Sequence, residues 1–313
     1  MEHKAKKSLG QNFLKSEMAL QKIIEAGEIK ADDIILEIGP GKGALTEKLL
    51  ENAGTVIAVE KDRELFKFLQ EKFEKEIVAG KLILVEDDIL EFDVKKTVLS
   101  FLNGLAGIET RRTEDLQKIP KLFSYKIIAN IPYNITGAIL KKFLTEKSQP
   151  ERMILMVQHE VAKRIMGRGK NPSTPLRAKE SILSISVKAY GEPKMIMKVP
   201  ARYFSPSPKV DSAIICIRNI SRKNFYSPLE EYSDLGSEGG GKVSTPSRKR
   251  PTPQEGKVDE EKFWEIVKLG FAHKRKKLSG NLKSLKNVKL GQLGDKRAED
   301  LSLSDWINLV KML

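Results

Sequence analysis

The residues Asn130-Ile131-Pro132-Tyr133 close an apolar run, YKIIANI, and lead into a helical pattern, and their types suit one kind of chemistry. Pro132 has no backbone donor and pushes Ile131 into an extended conformation, so the Ile131 carbonyl can point away from the strand end. Asn130 adds a side-chain carbonyl beside it. Two acceptors at one corner match the two hydrogens of an exocyclic amine, and Tyr133 offers a flat face to a base taken out of its stack. The N6 lone pair of adenine is delocalised into the ring, which makes that nitrogen a poor nucleophile. Gripping both N6 hydrogens favours a pyramidal nitrogen with its lone pair aimed at a methyl group, so that positioning and electrostatics suffice without a strong general base. A rigid strand-to-helix turn is the plainer alternative for the same residues.

A second cluster bears on where the methyl would come from. In ILEIGPGKGALTEKLL, Gly39, Gly41 and Gly43 lie between an apolar strand and a helix, where small residues permit a tight turn and close approach of backbone to a ligand. Glu60 ends the next strand, VIAVE, about 20 residues on, where a carboxylate can accept both hydroxyls of a ribose. Gly39-x-Gly41-x-x-Ala44 also fits the looser dinucleotide fingerprint, and a mere tight turn would use the same glycines. Glu37 favours S-adenosylmethionine, because an acid there opposes a pyrophosphate but suits an ammonium and a sulfonium. Asp88 follows a third strand in VEDDIL, where it would lie over the adenine of the cofactor. A solvated strand end is its plainer alternative.

The elements that must position these groups alternate from about Asp33 as short apolar strands and amphipathic helices: DIILEIG, ALTEKLLEN, TVIAVE, RELFKFLQEKF, LILVEDD, YKIIANI, GAILKKFL, RMILMVQ. That alternation predicts an α/β fold with a mostly parallel, doubly wound sheet. Leu99–Pro120 is polar and reads as an insertion, and Ser227–Gly256 has the Ser, Gly and Pro content of a disordered linker. Helical spacing returns after Val258. The expected organisation is a cofactor-binding domain at 1–220, a flexible linker at 221–257 and a small helical domain at 258–313.

The sequence holds 313 residues, 40% of them hydrophobic, with a net charge of +14, which favours a polyanionic partner. Within Ala272–Leu290, the basic residues include Lys274, Arg275, Lys276 and Lys277 with no acid among them, which points to phosphate contacts rather than an ordinary solvated face. Met166–Lys179 is a basic Gly/Pro loop that could close over RNA. No apolar run approaches the roughly 18 residues of a membrane span, and a cytoplasmic location is the expectation. The single cysteine, Cys216, sits in the alternating run SAIICIR and reads as a core residue, and the three scattered histidines show no metal-ligand spacing.

With these residues stand Gly10-Gln11-Asn12-Phe13-Leu14, Gln158-x-Glu160-Val161-Ala162-x-Arg164 and Phe204-Ser205-Pro206-x-Pro208-x-Val210-Asp211-Ser212. The ordered set, spanning nearly the whole chain, resembles the KsgA/RsmA ribosomal RNA adenine dimethyltransferases. The resemblance implies a Rossmann-like class I methyltransferase sheet with a small helical C-terminal domain. The implied reaction uses S-adenosylmethionine to dimethylate N6 of two adjacent adenosines near the 3′ end of small-subunit RNA, within a pre-ribosomal particle and as a monomer. By matching motif, Asn12, Leu14, Gly39, Gly41, Glu60, Asp88 and Asn130 would line the cofactor site. Asn130 and the Ile131 carbonyl would grip the target amine, and Tyr133 and Phe204 would sandwich its ring.

Gln11 and Asn12 could instead cap a helix starting near Ser16, and Phe204 could be ordinary packing. The large-subunit dimethyltransferases of macrolide resistance share the Asn-Ile-Pro-Tyr corner, but Gly10 and FAHKRKKLSGNLK lean towards the small-subunit enzymes. A non-catalytic assembly or transcription factor would not need Glu60, Asp88 and the corner intact. An NAD oxidoreductase lacks a candidate hydride-transfer acid.

Overall fold

The computed structural model describes residues 5–6, 9–105, 124–167, 179–226, 257–285 and 290–312. The chain forms two compact units, Met1–Lys163 with Glu192–Ile220 and Arg164–Gly191 with Ser221–Leu313. The expected domain limit after residue 220 is also a limit between units, but Arg164–Gly191, expected within the first domain, packs with the second. Its ILSISVKAY is as apolar as the sheet segments around it, so composition marks no boundary there.

The first unit contains β1 (Phe13–Leu14), β2 (Ile34–Ile38), β3 (Thr55–Glu60), β4 (Leu82–Glu86), β5 (Lys126–Asn130), β6 (Arg152–Gln158), β7 (Glu192–Val199), β8 (Phe204–Ser205) and β9 (Ser212–Arg218). Between them run α1 (Glu17–Gly27), α2 (Ala44–Asn52), α3 (Arg63–Lys72), α4 (Glu74–Val78), α5 (Val94–Leu105), α6 (Thr136–Thr145) and α7 (His159–Met166), whose last turn passes into the second unit. Seven strands make one sheet in the order β4-β3-β2-β5-β6-β9-β7. β4 through β6 are parallel, β9 runs antiparallel to β6, and β7 runs antiparallel to β9. The direction of winding reverses between β2 and β5, the place where an open α/β sheet leaves a crevice beyond its strand ends.

Burial explains the near-continuous apolar strands. Leu36, Ile57, Ile128 and Leu155 are all fully buried, as a sheet covered on both faces requires. Cys216 lies buried in β9, where loss of solvation raises its thiol pKa. α1 is capped by Ser16, whose side chain accepts the Ala19 amide, so Gln11 and Asn12 do not serve as its cap. Asp62 caps α3. The two-residue strands β1 and β8 pair antiparallel, Leu14 opposite Phe204, and tie the N-terminal segment to the loop ahead of β9.

The second unit holds α8 (Ile182–Lys188), the parallel pair β10 (Phe225–Tyr226) and β11 (Val258–Asp259), α9 (Glu260–Gly270), α10 (Leu278–Asn281) and α11 (Leu303–Lys311). Tyr190 packs its ring on Phe225 and Trp264 and donates its hydroxyl to Glu260, which fastens the 164–191 segment to the helices. Trp306, fully buried, stacks on Phe271 with ring centroids 5.6 Å apart. Most of the insertion expected at 99–120, of the linker at 221–257 and of the loop at 166–179 lies outside the described residues. No helix among the described residues is long and apolar enough to cross a membrane.

Candidate functional site

A cavity of about 320 Å³ opens beyond the carboxyl ends of β2, β3, β4 and β5, beneath the segment Leu9–Leu14. Asn12, Leu14, Gly39, Gly41, Glu60, Asp88, Asn130, Ile131, Pro132 and Tyr133 all line it.

The glycine loop has the tight-turn conformation that its sequence suggests. Gly39 and Gly41 have φ of 64° and 62°, in the left-handed region that side chains disfavour. A Cβ on Gly41 would come within 3.0 Å of the Phe13 ring, so the loop and the N-terminal segment meet only because the side chain is absent. Beneath them Glu37 is buried, and its Oε2 has no hydrogen-bond partner. Burial, opposed by the Thr46 hydroxyl and reinforced by the nearby Glu60 charge, pushes the Glu37 pKa up to about 8. An orphaned buried carboxyl oxygen at the floor of a cavity is suited to a cationic group of a ligand.

Glu60 is held from two sides. Its Oε2 accepts the Gly41 amide at 3.1 Å and its Oε1 accepts the Asp62 amide at 2.9 Å. Burial raises its pKa, against these donors. Each oxygen keeps a lone pair for a ligand hydroxyl. Asp88 accepts from Lys61 Nζ at 2.6 Å and from the Leu90 amide at 3.0 Å, and the Lys61 bond keeps its pKa below the usual carboxylate value. Lys142 donates to the Leu90 and Phe92 carbonyls at 3.0 and 2.7 Å and so anchors the loop that carries Asp88.

At the corner after β5, Asn130 Nδ2 donates to the Asn12 carbonyl at 3.0 Å. That bond uses the donor end of the amide and leaves Oδ1 to accept elsewhere. The Tyr133 hydroxyl lies 2.5 Å from Ser212 Oγ, which pins a half-buried ring. Burial raises the Tyr133 pKa, so it remains a neutral phenol.

Phe204 is different. It is 2% exposed, packs in the main hydrophobic cluster opposite Leu14 and is not among the cavity-lining residues. Of the two rings expected to sandwich a base, the structure brings Tyr133 to the cavity and packs Phe204 against the core.

Sequence reasoning missed four contributors. Phe13 and Lys61 line the cavity, while Gln11 and the buried Asp62 meet through a 2.8 Å hydrogen bond. The available signal was Glu60-x-Asp62 directly ahead of the helical RELFKFL, a helix-cap pattern whose second duty is invisible locally.

In the second unit, Lys274, Arg275, Lys276 and Lys277 are exposed on the turn between α9 and α10. Lys277 pairs with Asp295 at 2.8 Å. Asn281 Nδ2 holds the turn through the Gly270 and His273 carbonyls, at 2.6 and 3.1 Å.

Comparison with known proteins agrees with this arrangement. Residues 2–235 match the family model described as ribosomal RNA adenine dimethylase. A protein of Dehalococcoides mccartyi named ribosomal RNA small subunit methyltransferase A is 36% identical, over 98% of this chain and 87% of its own length. A protein of the same name from Thermosynechococcus vestitus is 34% identical over 99% and 97%. Among solved structures, the 23S rRNA methyltransferase ErmE superposes with a TM-score of 0.61 at 23% identity, covering 96% of this chain and 99% of that one. A dimethyladenosine transferase from Plasmodium falciparum gives 0.61 at 22%, over 95% of each. At those identities the structures establish a shared fold. Taken with the match over most of its length, the glycine cavity and the Asn-Ile-Pro-Tyr corner are those of a member of the ribosomal RNA adenine dimethylase family, to which this chain belongs.

Proposed function

We propose that this chain transfers methyl groups from S-adenosylmethionine to N6 of two adjacent adenosines near the 3′ end of small-subunit ribosomal RNA, acting as a monomer on a pre-ribosomal particle. The observation that carries the chemistry is the Asn130–Asn12 hydrogen bond, which commits the amide nitrogen to the protein and reserves the oxygen as an acceptor. The names of the relatives at 34–36% identity favour the small subunit.

The cavity's chemistry fits the cofactor. The orphaned oxygen of Glu37 suits its cationic methionine end, Glu60 its ribose, and Asp88 its adenine amine. When bound, S-adenosylmethionine supplies an activated methyl on a sulfonium. Asn130 Oδ1 and the Ile131 carbonyl would accept the two N6 hydrogens in the first transfer and the one that remains in the second, turning the lone pair out of the ring; each transfer would leave S-adenosylhomocysteine and release one N6 proton to water. Tyr133, fixed by Ser212, presents a face to the extruded base, whose removal from an unpaired loop costs only a few kcal/mol. Pro132 holds the corner rigid, and Lys274, Arg275, Lys276 and Lys277 supply phosphate contacts.

Incubating the protein with labelled S-adenosylmethionine and unmethylated small or large ribosomal subunits, followed by nucleoside mass spectrometry, tests the proposal. Dimethyladenosine confined to the small subunit is expected. Label in the large subunit would move the activity to the resistance-type branch, and no label in either would refute the proposed reaction. Asn130→Ala should lower single-turnover methylation by at least about 100-fold, the scale of removing one preorganised polar group, with circular dichroism unchanged.

A further inference from the structure

Asp62 belongs to none of the groups assigned above to cofactor or base, yet it is only 2% exposed and receives more donors than a helix cap needs. Its Oδ1 accepts from the Glu64 amide at 3.0 Å, which is the cap, and from Lys6 Nζ at 2.8 Å. Its Oδ2 accepts from Gln11 Nε2 at 2.8 Å. Gln11 cannot reverse its amide without loss, because its Oε1 accepts the Lys6 amide at 2.7 Å. Only a carboxylate offers acceptors on both sides.

The next residue along is Asn12, whose side chain folds back on the Gly10 carbonyl at 3.0 Å and whose own carbonyl holds Asn130 Nδ2. In the other direction, the Asp62 amide donates to Glu60 Oε1. A single buried carboxylate thus sits between the ribose acceptor, the N-terminal strap and the amide at the methyl-acceptor corner.

Resting on the function proposed above, we propose that Asp62 is a positioning residue: through Gln11 it fixes the strap so that the Asn12 carbonyl orients Asn130 for the target amine. Asp62 touches neither substrate nor cofactor. Its effect reaches the reaction by way of the strap, so it influences both cofactor retention and the rate once the cofactor is bound.

Asp62→Asn isolates this duty, since asparagine caps a helix as well as aspartate does. It would set an amide NH2 against the NH2 of Gln11. Adding Gln11→Glu reverses the pair: the new carboxylate accepts from the new amide while its other oxygen still receives the Lys6 amide. Three measurements on the full chain decide the matter: amide hydrogen exchange over residues 9–14, calorimetric affinity for S-adenosylhomocysteine, and single-turnover methylation of small subunits at saturating cofactor.

For Asp62→Asn, strap exchange about tenfold faster, affinity about tenfold weaker and a saturated rate about tenfold lower are expected, the scale of losing one charge-assisted hydrogen bond. The double variant should return each to within about threefold of the unaltered protein, a rescue that loss of the cap would not produce. Unchanged exchange and affinity in Asp62→Asn, or a double variant no better than the single one, would overturn the role. An unaltered protein that binds S-adenosylhomocysteine but methylates neither subunit would sink the proposed function, while the exchange and affinity comparison would still decide for or against Asp62.

Discussion

Glu37 is a carboxyl group kept out of water beneath a cavity that suits a cation, and its titration follows from that placement. Its pKa in the folded chain is pushed up to about 8, above the ordinary value of 4.5, so the folded state binds the proton more tightly than the unfolded state. Stability contributed by this group is therefore full below the unfolded pKa and declines as pH rises through the window from 4.5 to about 8. Glu37→Gln should flatten that decline in urea titrations of the cofactor-free protein. A cationic ligand favours the ionised form, so cofactor binding near pH 7 should release up to about one proton, seen as a dependence of calorimetric heat on buffer ionisation enthalpy, and Glu37→Gln should abolish it. That Gly39, Glu60 and Asn130 would stand at strand ends around one cavity was legible, because the strand-to-turn pattern that places each of them is local. The role of Asp62 was not, because its partner Gln11 is 51 positions away, and the burial of Phe204 was not, because a ring at a cavity and a ring in the core have the same letter.

At the scale of elements, the start of α2 shows how closely loop and helix are fitted. Gly43 precedes the helix with φ of 79°, and a Cβ there would lie 2.5 Å from the ring of the buried Phe73. Gly43→Ala should therefore destabilise the first unit by about 2 kcal/mol through backbone strain and overpacking, measured as a lowered urea midpoint. Retention of the midpoint would show that Phe73 yields without cost. Four of the five parallel strands, β2, β3, β5 and β6, were legible because burial on both faces writes them as apolar runs, while the edge strand β4 keeps an apolar run with only Leu82 buried. β1 and β8 were not, for a two-residue strand carries no period and exists only through a partner nearly 200 positions away: Phe13 opposite Ser205.

For the whole molecule, a charge of +14 and an exposed cationic turn should set the salt dependence of RNA binding under the proposed function. Replacing Lys274, Arg275 and Lys276 together with alanine should lower the slope of log affinity against log salt by roughly 0.7 to 0.9 for each phosphate that is no longer neutralised. An unaltered slope would place the RNA-binding surface on other residues. Asn281→Ala frees the turn without changing charge and should weaken binding at constant slope. The chain passes from one unit to the other three times, because Arg164–Gly191 belongs with the C-terminal helices. That route matters while the protein is being made. The sixth position of the seven-stranded sheet belongs to β9, the last of its strands to be synthesised, and β9 inserts between β6 and β7. Until residue 218 has left the exit tunnel, the nascent chain must keep the apolar β6 with one edge bare, the condition under which strands pair with neighbours instead of with themselves. Stalled translation in this interval would leave that edge open to pairing with another chain.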